Sequence, residues 1–333
     1  MTNKLKQYRV RAGLTQTQLA KSVGVSQPNY QRWESGNVQV PAGKLKKLAK
    51  VLNANADALL GKHPPVETRL YDKSVGEDLS YYGEVAVHFK GGGKPLLLSI
   101  SDGAFSRMHR ELQQENTFLA VESLANQTVI IRARSISDLY FSSEAHDDYG
   151  PEHGKYSGHV QLQMPDDRDW EIVEALAYDG IDLEDFEKED VERVSSRIMI
   201  TDEQYDELVA DGKIKPEDLE GEKKKNQKVT NRIFDLATKV KYQFSSGKRR
   251  CVDVLDEESL FETFCELTDF GEDVDDHLIR LPIEGWHRIA FINKDALDYV
   301  MLPTHRFNKG RTEVDAKMLD ESDEAKQGQM QPQ

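Results

Sequence analysis

Residues 14–36 read LTQTQLAKSVGVSQPNYQRWESG, and their local chemistry sets the fold of the amino-terminal region. Thr15 stands where an N-cap belongs, and Gln18 three positions later completes a capping box. Leu19, Ala20 and Val23 recur at helical spacing and predict one inward face, with Ala20 small where two helices must cross closely. Gly24 supplies the positive φ that ends this helix without a Cβ clash. Ser26 is the expected cap of the next helix, and Pro28 falls in its first turn, where a missing N–H costs little. Tyr30 and Trp33 lie one turn apart and are predicted to face inward, which leaves Gln27, Asn29 and Arg32 outside. Gly36 closes the segment. The stretch therefore predicts two helices joined by a glycine turn, the second with a polar leading face.

Glutamine and asparagine can pair with an adenine edge and arginine with guanine, so that face suits a DNA major groove. The segment resembles the helix-turn-helix of the phage repressor/Cro type, the XRE family. The resemblance covers roughly the first sixty residues, through Leu5, Arg9, Gly13-Leu14-Thr15-Gln16, Leu19-Ala20, Gly24-Val25-Ser26, Trp33-Glu34 and Gly36. It implies an all-α, five-helix, lambda-repressor-like DNA-binding head over residues 1–63. It further implies an Arg9–Glu34 ion pair, a phosphate contact from Gln16, and base-reading positions at Gln27, Pro28 and Asn29. Gln31, Arg32, Asn37 and Lys44 complete the expected DNA surface. Two residues depart from the family pattern and bear on sequence preference. Tyr30 replaces the usual small aliphatic, and Pro28 removes a side-chain donor from the reading face.

Charge is distributed in the same sense. Residues 1–63 carry eleven lysines and arginines against Glu34 and Asp57, a net +9, whereas the whole chain of 333 residues is at −15. The remainder is thus at −24. A basic head on an acidic body suits phosphate neutralisation by one end only. With 31% charged residues and a mean hydropathy of −0.65, the composition is that of a water-soluble protein. No apolar run approaches the roughly 18 residues of a membrane span, and the amino terminus has no apolar signal core. A cytoplasmic location without membrane contact is expected. Cys251 and Cys265 have no metal-ligand spacing and are read as buried small hydrophobes in a reducing compartment.

Beyond the head, a fourth helix is predicted over 42–52 and a fifth over 56–60, with Asn55 or Asp57 near its start. Pro64-Pro65 ends the domain, and residues 64–83 read as a linker. The following α+β region is expected to contain two similar ββα-ββ(β) lobes, over 84–164 and 239–312. GEVAVHFKGGGKPLLLSISDGAF opens one and TKVKYQFSSGKRRCVDVLDEESL the other, each with a strand ending in Phe (Phe89, Phe244), a glycine turn and a second strand ending at Asp (Asp102, Asp256). Helices containing FSRMHREL and LFETFCEL follow, and each unit closes on strand-like runs. Between the lobes, 165–238 reads as an acidic helical and connector region, with EGEKKKNQK as a solvated connector. Residues 313–333 have the polar composition of a disordered tail.

Catalytic and metal chemistry finds little support. His146, Asp147, Asp148, His153 and His159 hold ligand-type side chains, but their spacing matches no zinc pattern and their glycines mark a loop. Lys90-Gly91-Gly92-Gly93-Lys94 lacks the phosphate-loop signature and reads as a hairpin turn. Lys248-Arg249-Arg250 reads as the charged edge of a strand. The only Ala-Gly pairs, at Ala12 and Ala42, lie inside the head, which argues against a self-cleaving repressor. No enzyme, metal site or cofactor is expected. The sequence predicts a sequence-specific transcription regulator of prophage type, a repressor. It would bind a pseudo-palindromic operator in double-stranded DNA as a homodimer or higher even oligomer. The alternative is an antitoxin or phage-encoded interaction module whose acidic body binds a protein partner.

Overall fold

The caps and glycine turns place the first five helices where they are expected: α1 (Leu5–Arg11), α2 (Gln16–Val23), α3 (Gln27–Glu34), α4 (Ala42–Val51) and α5 (Ala56–Leu59). The computed structural model describes residues 3–70, 72–143, 150–151, 162–269 and 277–329. Their apolar stripes meet in one core of Leu5, Leu19, Ala20, Val23, Tyr30, Trp33, Leu48, Leu52 and Leu59. Gly24 takes φ +70° and stops α2. Ser26 occupies the N-cap position of α3, but its side chain accepts no capping hydrogen bond.

The chain divides into two units. The head comprises the residues up to Pro65, Glu184–Phe186 and the chain from Asn308 onward, and the body comprises Val66–Leu183 and Glu187–Phe307.

In the body the elements run β1 (Arg69–Leu70), β2 (Ser80–Phe89), β3 (Leu96–Ser101), α6 (Asp102–Glu111), β4 (Phe118–Ser123), β5 (Gln127–Arg132) and β6 (Ile136–Ser142). Four helices follow: α7 (Asp167–Ala177), α8 (Lys188–Ile198), α9 (Asp202–Ala210) and α10 (Leu219–Thr238). The chain then forms β7 (Lys239–Phe244), β8 (Arg249–Asp253), α11 (Glu257–Asp269), β9 (Leu278–Pro282), β10 (Ile289–Asn293) and β11 (Leu297–Pro303). The last helix, α12, spans Thr304–Gln329.

The order hairpin, helix, hairpin, 3-10 turn, strand therefore occurs twice, over β2–β6 and β7–β11. Hydrogen bonds at matching places accompany it. Lys90 N donates to Ser135 O at 2.9 Å and Ser245 N to Ala296 O at 2.8 Å. Leu124 N donates to Ser99 O at 2.9 Å and Glu284 N to Asp253 O at 3.0 Å. The pairings also match, because β2 lies between β3 and β6 as β7 lies between β8 and β11.

The two stretches nevertheless share a sheet. β5 pairs antiparallel with β11, giving the order β4-β5-β11-β7-β8, whereas the β9–β10 hairpin forms a two-stranded sheet of its own. Val85, Val87, Leu98, Ile100, Met108, Val129, Ile131 and Tyr299, from both stretches, fill one core of the body. The KGGGK segment is the β2–β3 turn, as expected, with Gly92 and Gly93 at φ +73° and +96°. A Cβ on Gly91 would clash with the Ser245 carbonyl oxygen, so this turn can press on the β7–β8 turn only as glycine. The basic run beginning at Lys248 leads into β8, the edge of the five-stranded sheet, with Arg249 and Arg250 exposed.

Several boundaries differ from expectation. Within 64–83, Arg69–Leu70 pairs in parallel with Ser80–Tyr81, so two parts of the expected linker belong to a sheet. EGEKKKNQK lies inside α10 rather than in a connector. Its Glu and Lys residues are strong helix formers, and Lys225 pairs with Glu222 one turn back at 3.4 Å. The expected disordered tail is helical in α12 as far as Gln329. Composition missed it because its polar side chains find partners in the head. The last strand of the second unit ends at Pro303, where the closing strand-like run was expected to end, and the rest of the expected unit to 312 is the start of α12. Cys251 is exposed rather than buried, since strand β8 is an edge and leaves it uncovered, and Cys265 is half-buried. The His146, Asp147, Asp148, His153 and His159 cluster lies outside the described residues.

Candidate nucleic-acid interface

Arg9 anchors the head. Its side chain is buried from solvent, and Nε donates to Glu34 Oε1 at 2.7 Å while Nη2 reaches Glu34 Oε2 at 3.4 Å. Nη1 donates to the Leu14 carbonyl at 2.9 Å, which fixes the turn ahead of α2. Burial alone would lower the guanidinium pKa, but the carboxylates of Glu34 and then Asp320 outweigh it and raise it, so the charge is permanent. The Tyr30 hydroxyl donates to Glu34 Oε1 at 3.0 Å. Burial first and the Glu34 carboxylate second push that phenol well above its ordinary value. Tyr30, the departure from the family pattern, is thus a buried partner of the Arg9–Glu34 pair.

At the start of α2 the capping box is complete. Gln18 N donates to Thr15 Oγ1 at 3.1 Å and Thr15 N to Gln18 Oε1 at 3.2 Å. The Gln16 side chain bridges the two helices: its Nε2 donates to Glu34 Oε2 at 2.6 Å and its Oε1 accepts from Gln27 Nε2 at 2.7 Å. Gln27 is consequently half-buried, whereas Pro28, Asn29, Gln31 and Arg32 on α3 and Asn37 beyond it are exposed. Lys44, expected to face phosphate, donates from Nζ to the Val23 and Gly24 carbonyls at 2.9 and 2.7 Å. Its ammonium thereby neutralises the carbonyl end of α2, where helix partial charge is negative. The structure brings together Arg9, Gln16, Gln27 and Glu34, and leaves Asn29, Gln31, Arg32 and Asn37 outward.

Residues 5–59 match the family model for the helix-turn-helix. The head is an XRE-type helix-turn-helix domain. No curated protein and no solved structure matches the chain. That family consists of DNA-binding regulators, and α3 is the second helix of the motif, the position that in helix-turn-helix proteins generally holds the recognition helix.

Sequence reasoning missed a group of residues that meet this helix-turn-helix domain from α12. Asp320 Oδ1 accepts from the Gln16 backbone N–H at 2.8 Å, and its carboxylate accepts from Arg9 Nη1 and Nη2 at 3.3 and 3.2 Å. Asp323 Oδ2 accepts from the Thr15 hydroxyl at 3.0 Å, and Glu313 from Lys6 Nζ at 2.6 Å. A signal was present in the sequence. Glu313, Asp320 and Asp323 fall at i, i+7 and i+10, one face of a helix. Among the described residues no cluster of His, Cys, Asp and Glu is placed to hold a metal ion, and no helix is long and apolar enough to cross a membrane.

Proposed function

We propose that this protein is a sequence-specific transcription regulator, a repressor, whose helix-turn-helix domain reads an operator through α3. The observation that carries the reading is the helix-turn-helix match over 5–59 together with an outward α3 face of Asn29, Gln31 and Arg32. The net +9 of the first 63 residues supports it, because phosphate neutralisation supplies the non-specific part of DNA affinity. A single short motif makes few base contacts, so two heads would engage two half-sites about one helical turn apart. Selection of fragments bound by the full chain from source genomic DNA, followed by titration at increasing salt, tests this. Enrichment of a two-fold sequence with salt-sensitive binding is expected. Recovery of no preferred sequence would sink the specific-regulator reading.

In the same reading the body supplies self-association, and the matching element order of its two halves marks an internal duplication. The hairpins give a reason for the first point. Ile130 of β5, paired with β11, is 1% exposed, whereas Phe291 of β10 is 63% exposed and nearby Trp286 is 89% exposed. Leu278 and Ile289 extend that apolar surface. Among the described strands β10 pairs only with β9, so a second copy would cover on this hairpin what β11 covers on the other. Trp286→Ser with Phe291→Ser is expected to shift the species seen by sedimentation velocity from dimer to monomer. An unchanged distribution removes this hairpin from the interface.

A further inference from the structure

We infer that α12 is a built-in competitor of DNA for the head, and that its acidic face must lift from α2 before the phosphate backbone can dock. The inference rests on the DNA-binding reading above and concerns how that same surface is regulated. The first N–H groups of a helix have no partner within the helix and form a natural anion seat. In α2 the capping box uses the Gln18 N–H, while the Gln16 N–H is left to an outside acceptor. Asp320 fills that place, with the Gln16 N–H on Oδ1 and the far edge of the Arg9 guanidinium across both oxygens. One backbone N–H plus one fixed guanidinium is what a phosphodiester oxygen pair would require here, so carboxylate and phosphate cannot both be seated.

The neighbouring contacts extend the mimicry. Asp323 takes the Thr15 hydroxyl and Glu313 takes Lys6, so three anions from one helix face four donor residues of the head, Lys6, Arg9, Thr15 and Gln16. At about 1.5 Å rise per residue, Glu313 and Asp323 span about 15 Å of α12, a row of negative charge laid along the head. The grip is also of a kind that can open. The side chains of Asp320, Glu313 and Lys6 are 32%, 28% and 32% exposed, and ion pairs at such positions are weak and screened by salt. By contrast, the Arg9–Glu34 pair beneath them is closed to solvent. The fixed half of the seat belongs to the head and the movable half to α12. A protein held in the closed form binds with an affinity reduced by the fraction that is open.

The test compares the full-length protein with Asp320→Asn/Asp323→Asn on a labelled duplex carrying a selected site and on a random duplex, by fluorescence anisotropy. The double variant keeps the shape of both side chains and removes their charge. It is expected to bind both duplexes about tenfold more tightly, the scale of one or two charge-assisted hydrogen bonds. Asp320→Glu keeps the charge and is expected to stay near the parent. Hydrogen exchange over residues 313–325 is expected to quicken when duplex is added to the parent protein. Equal or weaker binding by the double variant, with or without a lower melting temperature, would make α12 a fixed brace of the head and overturn the inference. Unchanged or slowed exchange on DNA addition would do the same. Failure of parent and variant alike to bind any duplex would instead strike down the DNA-binding reading on which the inference stands.

Discussion

Two parts of the head would bear on DNA in the proposed reading, and they are treated in opposite ways. The outward face of α3 is exposed at Asn29, Gln31 and Arg32, whereas the start of α2 holds carboxylates of its own chain on the Gln16 N–H, Thr15 and Arg9. One surface would read bases and the other would anchor the backbone. Phosphate contacts position a protein on the duplex and base contacts specify where. In the proposed competition, covering the anchor while leaving the reader exposed would regulate affinity without touching preference. The difference teaches that control need not reach the recognition helix.

The sharpest way to break this contrast is at Arg9, the residue that serves both the buried pair and the anion seat. Arg9→Met strands Glu34 and Tyr30 in the core, a loss of about 3–5 kcal/mol for breaking a buried ion pair. Thermal unfolding of the head should fall accordingly, and an unchanged melting temperature would show that the pair does not hold α1 to α3. Next in size come Gln27→Ala and Arg32→Ala. Each is expected to cost roughly 1–3 kcal/mol on the selected duplex, the scale of a bidentate base contact, and to leave random duplex unaffected. Equal losses on both duplexes would move these side chains from reading to anchoring.

Lys44→Ala should act in the reverse sense, weakening both duplexes together while removing about 0.3–1 kcal/mol of capping at the carbonyl end of α2. A loss confined to the selected duplex would assign Lys44 to base reading. The smallest effect on the head is expected from the body. There Glu174 accepts from His305 Nε2 at 3.1 Å and faces Arg306 Nε at 3.4 Å. Burial alone would raise its carboxyl pKa, but His305 and then Arg306 outweigh it and lower it from the ordinary 4.5. A depressed carboxyl stabilises the fold above its ordinary pKa, and that stability is lost as the pH falls below about 4.5. Glu174→Gln should flatten acid unfolding of the body in that window and leave DNA affinity at neutral pH alone. A change in affinity would tie this site to the head.

The head was legible because its signals are local. Thr15 with Gln18, Gly24, and the inward pair Tyr30 and Trp33 each act within one or two turns, so periodicity and cap chemistry placed them directly. The body was legible as an order of elements but not as a topology. Nothing near Val129 or Val300 in the chain says that their strands pair across some 170 residues. The helical tail was the plainest omission. Polar composition argues for disorder when no partner is in view, and the donors that order Asp320 and Asp323 lie about 300 residues away in the sequence. Lys44 was expected on the DNA surface, whereas its ammonium is held by the Val23 and Gly24 carbonyls of a neighbouring helix end, a packing contact that helical periodicity does not report.

Gln16 has one consequence for how such a protein would choose its sites. Its side-chain amide accepts from Gln27 and donates to Glu34, and its backbone N–H donates to Asp320. One N–H of the Gln27 amide is held by Gln16, the residue where the carboxyl-terminal helix is moored, and the second N–H and the amide oxygen are left for a nucleobase. Linkage runs equally in both directions. In the proposed competition, a substitution at position 320 should therefore leave the order of preferred sites as it is, raising affinity for selected and random duplexes by the same factor, and either duplex should loosen the mooring once bound.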